Sequence, residues 1–452
     1  MITVIPIDTP GLGDRTYVAH DDKVALVVDP QRDYDRVLAV TEAAGVRITH
    51  VFETHIHNDY VTGGLALAQE VGAAYHVNAD DPVSFERVGV RDGDLVEVGD
   101  RMRVRVVHTP GHTHTHLSYA LSADDEPVAV FTGGSLLYGS TGRPDLLGPD
   151  HTQTLVRAQW RSANRLAEEL PDETEVYPTH GFGSFCSATQ SEALSSTIGR
   201  EKLANPALTQ DEEEYVEKLL AGLDEWPAYY ARMGPANSAG PQAPDLSEPT
   251  PADATELRRR IEAGEWVVDL RTREAYAAGH LMGSVNFGLD GQFITYLGWI
   301  MPYDATVTLL GETPEQVAEA QREMVRIGLG PAAMATGKPE EWAGDEKLGS
   351  FPVATFKDLR AALDARDDLV VLDVRRAQEF DERHIDGAVN VPIHNVLAHV
   401  DDIPRKKLWI HCAGGYRASV VASILDARGY DVVAVDDSFE ESAAPAGLPI
   451  VA

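Results

Sequence analysis

The chain carries one pattern twice, 104 positions apart. Val267-Val-Asp-Leu-Arg271 returns as Val371-Leu-Asp-Val-Arg375, and Gly279-His-Leu-Met-Gly-Ser-Val-Asn286 returns as Arg383-His-Ile-Asp-Gly-Ala-Val-Asn390 at the same offset. An apolar run closed by Asp-x-Arg reads as a buried strand. The fixed distance to the second block makes each copy a folding unit of about 100 residues. Solenoid repeats are shorter and come in more copies, so the duplication describes two tandem α/β domains.

The remaining half of the chain needs its own core, because 452 residues exceed what one hydrophobic core supports, roughly 250–300 residues. Up to residue 200, short apolar strands (Val24–Val28, Thr49–Phe52, Met102–Val107, Val128–Phe131) alternate with helical patterns (Tyr34–Ala44, Gly63–Val71, Thr152–Glu169). An acidic helical stretch, Gln210–Leu223, follows. The expected division is a first domain over 1–233, a Pro/Ala/Ser/Gly-rich linker over 234–252, and the first copy of the repeat over 253–335. A second linker over 336–352 then leads to the second copy over 353–452.

Charge narrows the classes of partner. With 38 Lys+Arg against 72 Asp+Glu the net charge is −34, which repels phosphate backbones and argues against nucleic-acid binding. Two cysteines, Cys186 and Cys412, are too few for a disulfide framework, so a reducing cytoplasm is expected. The opening residues Met1–Asp8 lack a signal-peptide pattern and no 18 apolar residues run together, so no membrane association is expected.

Cys412 follows the apolar strand Leu408-Trp-Ile-His and opens the loop Ala413-Gly414-Gly415-Tyr416-Arg417 before a helix. Successive amides in such a turn, with a helix N-terminus beyond, form a nest for an anion. That field favours a thiolate, and Arg417 adds a fixed positive charge. A thiolate there can take up a sulfane sulfur and hold it as a persulfide. With Asp373-x-Arg375, His384–Asn390 and Ala446-Gly-Leu-Pro449, the loop resembles that of a rhodanese (sulfurtransferase) domain. The resemblance implies Cys412 as sulfur-carrying nucleophile and Ala413, Gly414, Gly415, Tyr416 and Arg417 as the substrate-anion loop. Cys-based phosphatases use a longer loop; five positions from Cys412 to Arg417 suit the sulfur chemistry. In the other copy Gly311 stands where Cys412 does, followed by Glu312, so that domain is expected to be inert, a spacer or docking module that can also serve a homo-oligomer.

The first domain holds Glu53-Thr-His55-Ile-His57-Asn-Asp59-Tyr60, Thr109-Pro-Gly-His112-Thr-His114 and Tyr177-Pro-Thr-His180, each after an apolar segment. Alternate residues of an extended segment point to one side, so His55, His57 and Asp59 can share a centre. His20, His50, His76 and His151 have no such company and are read as structural or surface residues. This set resembles the metallo-β-lactamase fold, an αββα sandwich, over residues 1–200. Dinuclear zinc hydrolases of that fold, glyoxalase II among them, have histidine where Tyr60 stands, which disfavours a two-zinc thioester hydrolase. Persulfide dioxygenases in the superfamily use mononuclear Fe(II) on two histidines and an aspartate. His55 and His112 match those histidines; His57, Asp59 and His180 are weaker candidates. The aspartate's place in Phe131-Thr-Gly-Gly134-Ser135 is taken by Gly134. The resemblance also gives Arg143, in Gly142-Arg-Pro-Asp145, the role of contacting a thiol cosubstrate's carboxylate. Cys186 lies six residues after His180 and is read as a packing thiol, with a part in sulfur transfer as the alternative.

The order of parts, a metallo-β-lactamase domain followed by two rhodanese-like α/β domains with mostly parallel sheets, resembles the bacterial persulfide dioxygenase–rhodanese fusions. That implies oxidation of a low-molecular-weight thiol persulfide by O₂ to sulfite, then transfer of sulfane sulfur through Cys412 to give thiosulfate, as in sulfide detoxification. Three alternatives stay open: a sulfurtransferase on a metal-depleted scaffold, a zinc hydrolase of the glyoxalase II type, and a sulfur carrier relaying to a protein partner.

Overall fold

Alternating and doubly buried apolar strands in the first half build two facing sheets of six strands each. In the computed structural model, which describes residues 2–189, 193–365 and 368–452, the first sheet runs in chain order from Thr3–Thr9 through Asp14–His20, Val24–Val28, Arg47–Phe52 and Ala74–Asn78 to Val88–Val90. Its first two junctions are antiparallel and the next three parallel. The second sheet runs from Leu95–Val98 through Met102–His108, Leu117–Ala123, Glu126–Gly133 and Glu175–Pro178 to Ser196–Thr197. Tyr17, Leu26, Phe52, Val104, Tyr119 and Phe131 interlock between the sheets, each a large side chain on an inward-facing position. Helices Asp35–Ala44 and Gly64–Val71 cover one outer face through Val37, Leu67 and Ala68. Helices Pro149–Glu169 and Glu212–Ala221 cover the other through Val156, Leu166 and Tyr215. The expected αββα sandwich is present.

The described residues divide into two units, Met1–Asp245 with Val325–Gly328, and Leu246–Met324 with Leu329–Ala452. Two stretches read as linkers from composition carry structure. Helix Tyr230–Ala239 runs into 234–252 with Pro235 inside it. Gly234 and Pro235 are poor helix formers, so propensity hid the segment; its Asn237, 1% exposed, fixes it by tertiary hydrogen bonds. Within 336–352, helix Pro339–Ala343 buries Trp342 against the core of Leu257, Val267 and Leu310.

The C-terminal unit holds two parallel five-stranded sheets with the same layout. One orders Thr250–Pro251, Ala333–Thr336, Val307–Gly311, Trp266–Asp269 and Val285–Asn286; the other orders Val353–Ala354, Val432–Val435, Lys407–His411, Leu369–Asp373 and Val389–Asn390. The duplicated residues make the same buried network in each. Arg271 and Arg375 fork onto Asp269 and Asp373 and donate to the carbonyls of Gly279 and Arg383. Asn286 and Asn390 then clamp the Asp and Arg carbonyls. Asp269 lies opposite Leu310 as Asp373 lies opposite His411, so Gly311 is the counterpart of Cys412. Among the described residues no helix is long and apolar enough to cross a membrane.

Candidate functional site

Strand Arg47–Phe52 delivers the His55–Tyr60 loop to one end of the sandwich, where the turn after Met102–His108 brings His112 and the end of Glu175–Pro178 brings His180. Candidate ligand atoms of His55, His112 and His180 lie within 4.8 Å of one another, and all three rings are buried. Each ring has its Nδ1 engaged: His55 with Thr54 Oγ1 at 2.9 Å, His112 with the Arg143 carbonyl at 2.8 Å, His180 with Asp14 Oδ1 at 2.9 Å. This is how outer groups orient imidazoles around a metal. His112 Nε2 has no hydrogen-bond partner, and the Nε2 atoms of His55 and His180 face each other at 3.4 Å. Burial holds His112 at about 3, and burial with the surrounding imidazoles pushes His55 well down, so both rings are in the neutral form that ligates metal. The residues fit a metal ion.

The weaker candidates stand beside this set. His180 Nδ1 lies 3.1 Å from Asp59 Oδ2; burial alone would lower His180, but Asp59 and Asp14 outweigh it and raise it to about 9. His57 turns its Nε2 toward Glu53 at 3.2 Å, Asp29 at 3.3 Å and the Tyr60 hydroxyl at 3.0 Å. Tyr60 is therefore the hydrogen-bonding partner of His57, fully buried and stacked on its ring. His114 is exposed and pairs with His151 at 3.0 Å, away from the cluster.

Gly134 and Arg143 take specific surroundings in the fold. Gly134 is more than a missing carboxylate: a Cβ there would sit 2.5 Å from His112 Cδ2, so the ring fills the space a side chain would need. A two-histidine, one-aspartate set centred on this position does not fit; the third neighbour is His180. Arg143, which the resemblance offers for a cosubstrate carboxylate, is engaged within the domain. It is 3% exposed, with Nε and Nη2 each 2.7 Å from the Asp145 carboxylate and Nη2 also 2.5 Å from the Asp224 carbonyl. These bonds, with a longer one from Nη1 to the Phe185 carbonyl, hold the turn that supplies the His112 acceptor. Cys186 is fully buried, and burial with the neighbouring Asp59 and Asp14 pushes its thiol well up.

Sequence reasoning missed Asn237. Its amide donates to the carbonyls of His57 at 2.9 Å and Tyr60 at 2.8 Å, and its Oδ1 accepts from the Thr62 amide at 2.9 Å. It thereby fixes the ligand loop from about 180 positions away. Asp14, Asp29 and His116 were also missed; Asp29 accepts from Thr54 N and Oγ1, both at 2.7 Å, beside His55.

In the C-terminal unit Cys412 ends strand Lys407–His411 and is 2% exposed. The Gly415 amide donates to its Sγ at 3.2 Å, and helix Tyr416–Asp426 starts at once. Gly415 has φ +92° and a Cβ there would strike the Asp436 carboxylate, so the tight turn needs glycine. Arg417 forks its Nη atoms onto Glu379 at 2.6 and 2.8 Å. Burial alone would raise Glu379, but the Arg417 guanidinium outweighs it and holds the carboxyl at about 2. The cysteine-free copy builds part of the surroundings. Its Gly288 carbonyl accepts from the Tyr416 hydroxyl at 3.0 Å, Arg273 pairs with Asp436 at 2.9 Å, and Tyr296 packs 6.0 Å from the Tyr416 ring. Trp299 stacks on His394 at 4.6 Å.

Comparisons with known proteins follow this division. Residues 9–180 match the metallo-β-lactamase superfamily model, and 253–343 and 355–444 match the rhodanese-like domain. A hydroxyacylglutathione hydrolase of Polaromonas sp. is 32% identical over 161 residues, 35% of this chain; the chain spans 57% of that relative's length. The human mitochondrial persulfide dioxygenase ETHE1 is 27% identical over 214 residues, 47% of this chain and 75% of that protein. A crystal structure of a metallo-β-lactamase from Staphylococcus aureus is similar at TM-score 0.67 and 27% identity, covering 75% of this chain and 99% of that one. The chain is a member of the metallo-β-lactamase superfamily carrying two rhodanese-like domains behind its N-terminal domain.

Proposed function

We propose that the protein oxidises a low-molecular-weight thiol persulfide to sulfite at the histidine cluster and passes sulfane sulfur through Cys412 to give thiosulfate. The observation that supports the reading best is the Gly415 amide donating to a buried Cys412 thiol at a helix start. There the Cys412 thiolate attacks the outer sulfur of R–S–SH; the S–S bond breaks, RSH leaves with the proton, and Cys412 carries the persulfide anion. Sulfite attacks the outer sulfur, the new S–S bond breaks, and thiosulfate departs with the thiolate restored. The first reaction consumes R–S–SH, O₂ and water and yields RSH, sulfite and two protons. His55, His112 and His180 would hold a ferrous ion, which would supply the redox chemistry toward O₂. The protein's own part is to orient the three imidazoles through Thr54, the Arg143 carbonyl and Asp14.

The test is full chain purified without oxygen exposure, assayed for bound metal, for O₂ uptake with a thiol persulfide, and for thiosulfate when sulfite is added. Thiosulfate that disappears in Cys412→Ser while O₂ uptake persists supports both halves. Gly134 and the occupied Arg143 favour a second reading, a sulfurtransferase on a non-catalytic scaffold. Chain with no O₂ uptake at full metal loading selects it. Two zinc ions with thioester hydrolysis select a hydrolase; Tyr60 in its partnership with His57 speaks against that.

A further inference from the structure

One arginine of the cysteine-free copy reaches the surroundings of Cys412. Arg273 opens helix Arg273–Ala278 of that copy and donates from Nε to Asp436 Oδ2 at 2.9 Å. Asp436 belongs to the last domain, one residue past strand Val432–Val435. Its carboxylate fills the space that a Cβ on Gly415 would need, and the Gly415 amide is the donor to Cys412 Sγ at 3.2 Å. Those two contacts, joined by one N–Cα bond, put the carboxylate within about 8 Å of the sulfur, inside a Debye length. Arg273 also holds Asp290 of its own copy, Nη1 to Oδ2 at 2.8 Å. Asp290 sits in the turn that grips Tyr416: the Gly288 carbonyl accepts from its hydroxyl, and its ring fills the space of a Cβ on Gly291.

Two carboxylates therefore stand against the loop and the helix start, each with an arginine. Glu379 is paired by Arg417 from the loop itself, Asp436 by Arg273 from the other copy. Among the described residues no other Lys or Arg pairs with Asp436. A bare carboxylate at that distance repels both an anion carried on Cys412 and an approaching sulfite, and a neutralised one does not. We propose that Arg273 is a positioning residue for sulfur transfer, neutralising Asp436 and holding it against Gly415 so that the loop accepts an anion. The copy without a cysteine thereby takes part in the reaction. This rests on the reading of Cys412 as sulfur carrier, but the field at its sulfur can be measured without turnover.

Iodoacetamide and iodoacetate are nearly one size, and only the second is an anion. Full chain is alkylated with each at physiological ionic strength, and the Cys412 peptide is quantified by mass spectrometry apart from that of Cys186. The iodoacetate-to-iodoacetamide rate ratio at Cys412 is expected to fall about tenfold in Arg273→Gln and to rise about threefold in Asp436→Asn. The double variant is expected to return to within about threefold of wild type, and Arg273→Lys to stay there. In thiosulfate formation Arg273→Gln is expected to raise the KM for sulfite about tenfold and to change kcat less than about threefold. An unchanged ratio in Arg273→Gln overturns the proposal, as do two single variants that shift the ratio in the same direction, which is what loosened packing alone produces. If Arg273→Gln does not fold, Asp436→Asn carries the test, and an unchanged or lower ratio there overturns the proposal. If wild type forms thiosulfate but the variants leave the ratio unmoved, the role of Arg273 fails and the sulfur-carrier reading stands. If no chain forms thiosulfate but the ratio shifts as stated, the sulfur-carrier reading fails and the action of Arg273 on Cys412 stands.

Discussion

Glu379→Gln isolates what Arg417 does. In the wild type the two side chains form a fork 24% exposed on the glutamate and 11% on the arginine, at 2.6 and 2.8 Å. Glu379 is held at about 2 against an ordinary 4.5, which corresponds to about 3 kcal/mol at 1.36 kcal/mol per pH unit. Solvent screening at this partly exposed site trims it to about 2 kcal/mol. Because Glu379 is held below its ordinary value in the folded protein, this stabilisation is complete above about pH 4.5–5 and is lost as the pH falls from there toward 2. The chain has several domains, so a single unfolding midpoint does not report one free energy. Hydrogen–deuterium exchange of the peptide covering Leu408–Asp426 reads the local opening instead. Exchange in Glu379→Gln is expected to run about 30-fold faster than wild type at pH 7, and under tenfold faster at pH 3.5. A ratio equal at the two pH values refutes the reasoning. The same variant frees the Arg417 donors, so the KM for sulfite in thiosulfate formation is expected to fall; a rise means Glu379 positions the guanidinium for the anion.

Other substitutions test the remaining geometry. Asn237→Ala leaves two buried carbonyls and an amide unpartnered around the His57–Thr62 loop, a cost of about 3 kcal/mol in domain stability by denaturant titration. Metal retained after dialysis in that variant is expected to drop at least tenfold. Gly134→Ala places a methyl 2.5 Å from His112 Cδ2 and is expected to lower metal content in anaerobically purified protein, whereas equal or higher content refutes the reading that the ring fills this position. Arg375→Ala strands buried Asp373 and is expected to destabilise the last domain by about 3–5 kcal/mol, measured as protease sensitivity, whereas Arg271→Ala does the same in the middle domain. Arg143→Ala is expected to lose about 2 kcal/mol of domain stability by denaturant titration, and a change under about 0.5 kcal/mol refutes the role of the Asp145 fork in holding the turn.

The sequence by itself determined what depends on short spacings. Asp-x-Arg puts its two interacting groups within one turn, in Asp269 with Arg271 and in Asp373 with Arg375, where backbone geometry alone fixes who can meet whom. The duplication likewise showed the two tandem domains, the apolar strand pattern showed an alternating α/β first domain, and the resemblance carried by its histidine motifs implied the sandwich. Only the tertiary structure decided how the polar groups pair. Arg417 meets Glu379 across 38 positions, His112 meets Gly134 across 22, and Asn237 holds His57 across 180. The docking of Asn237 outweighed helix propensity and turned an apparent linker into part of the site. An arginine in a motif was legible as a charge, but whether that charge faces a substrate or a buried carboxylate depends on which distant acid the fold brings to it. Arg417 found Glu379, 38 positions away, whereas Arg143 closed on Asp145, two positions on, because a guanidinium largely withdrawn from water is stable only when paired.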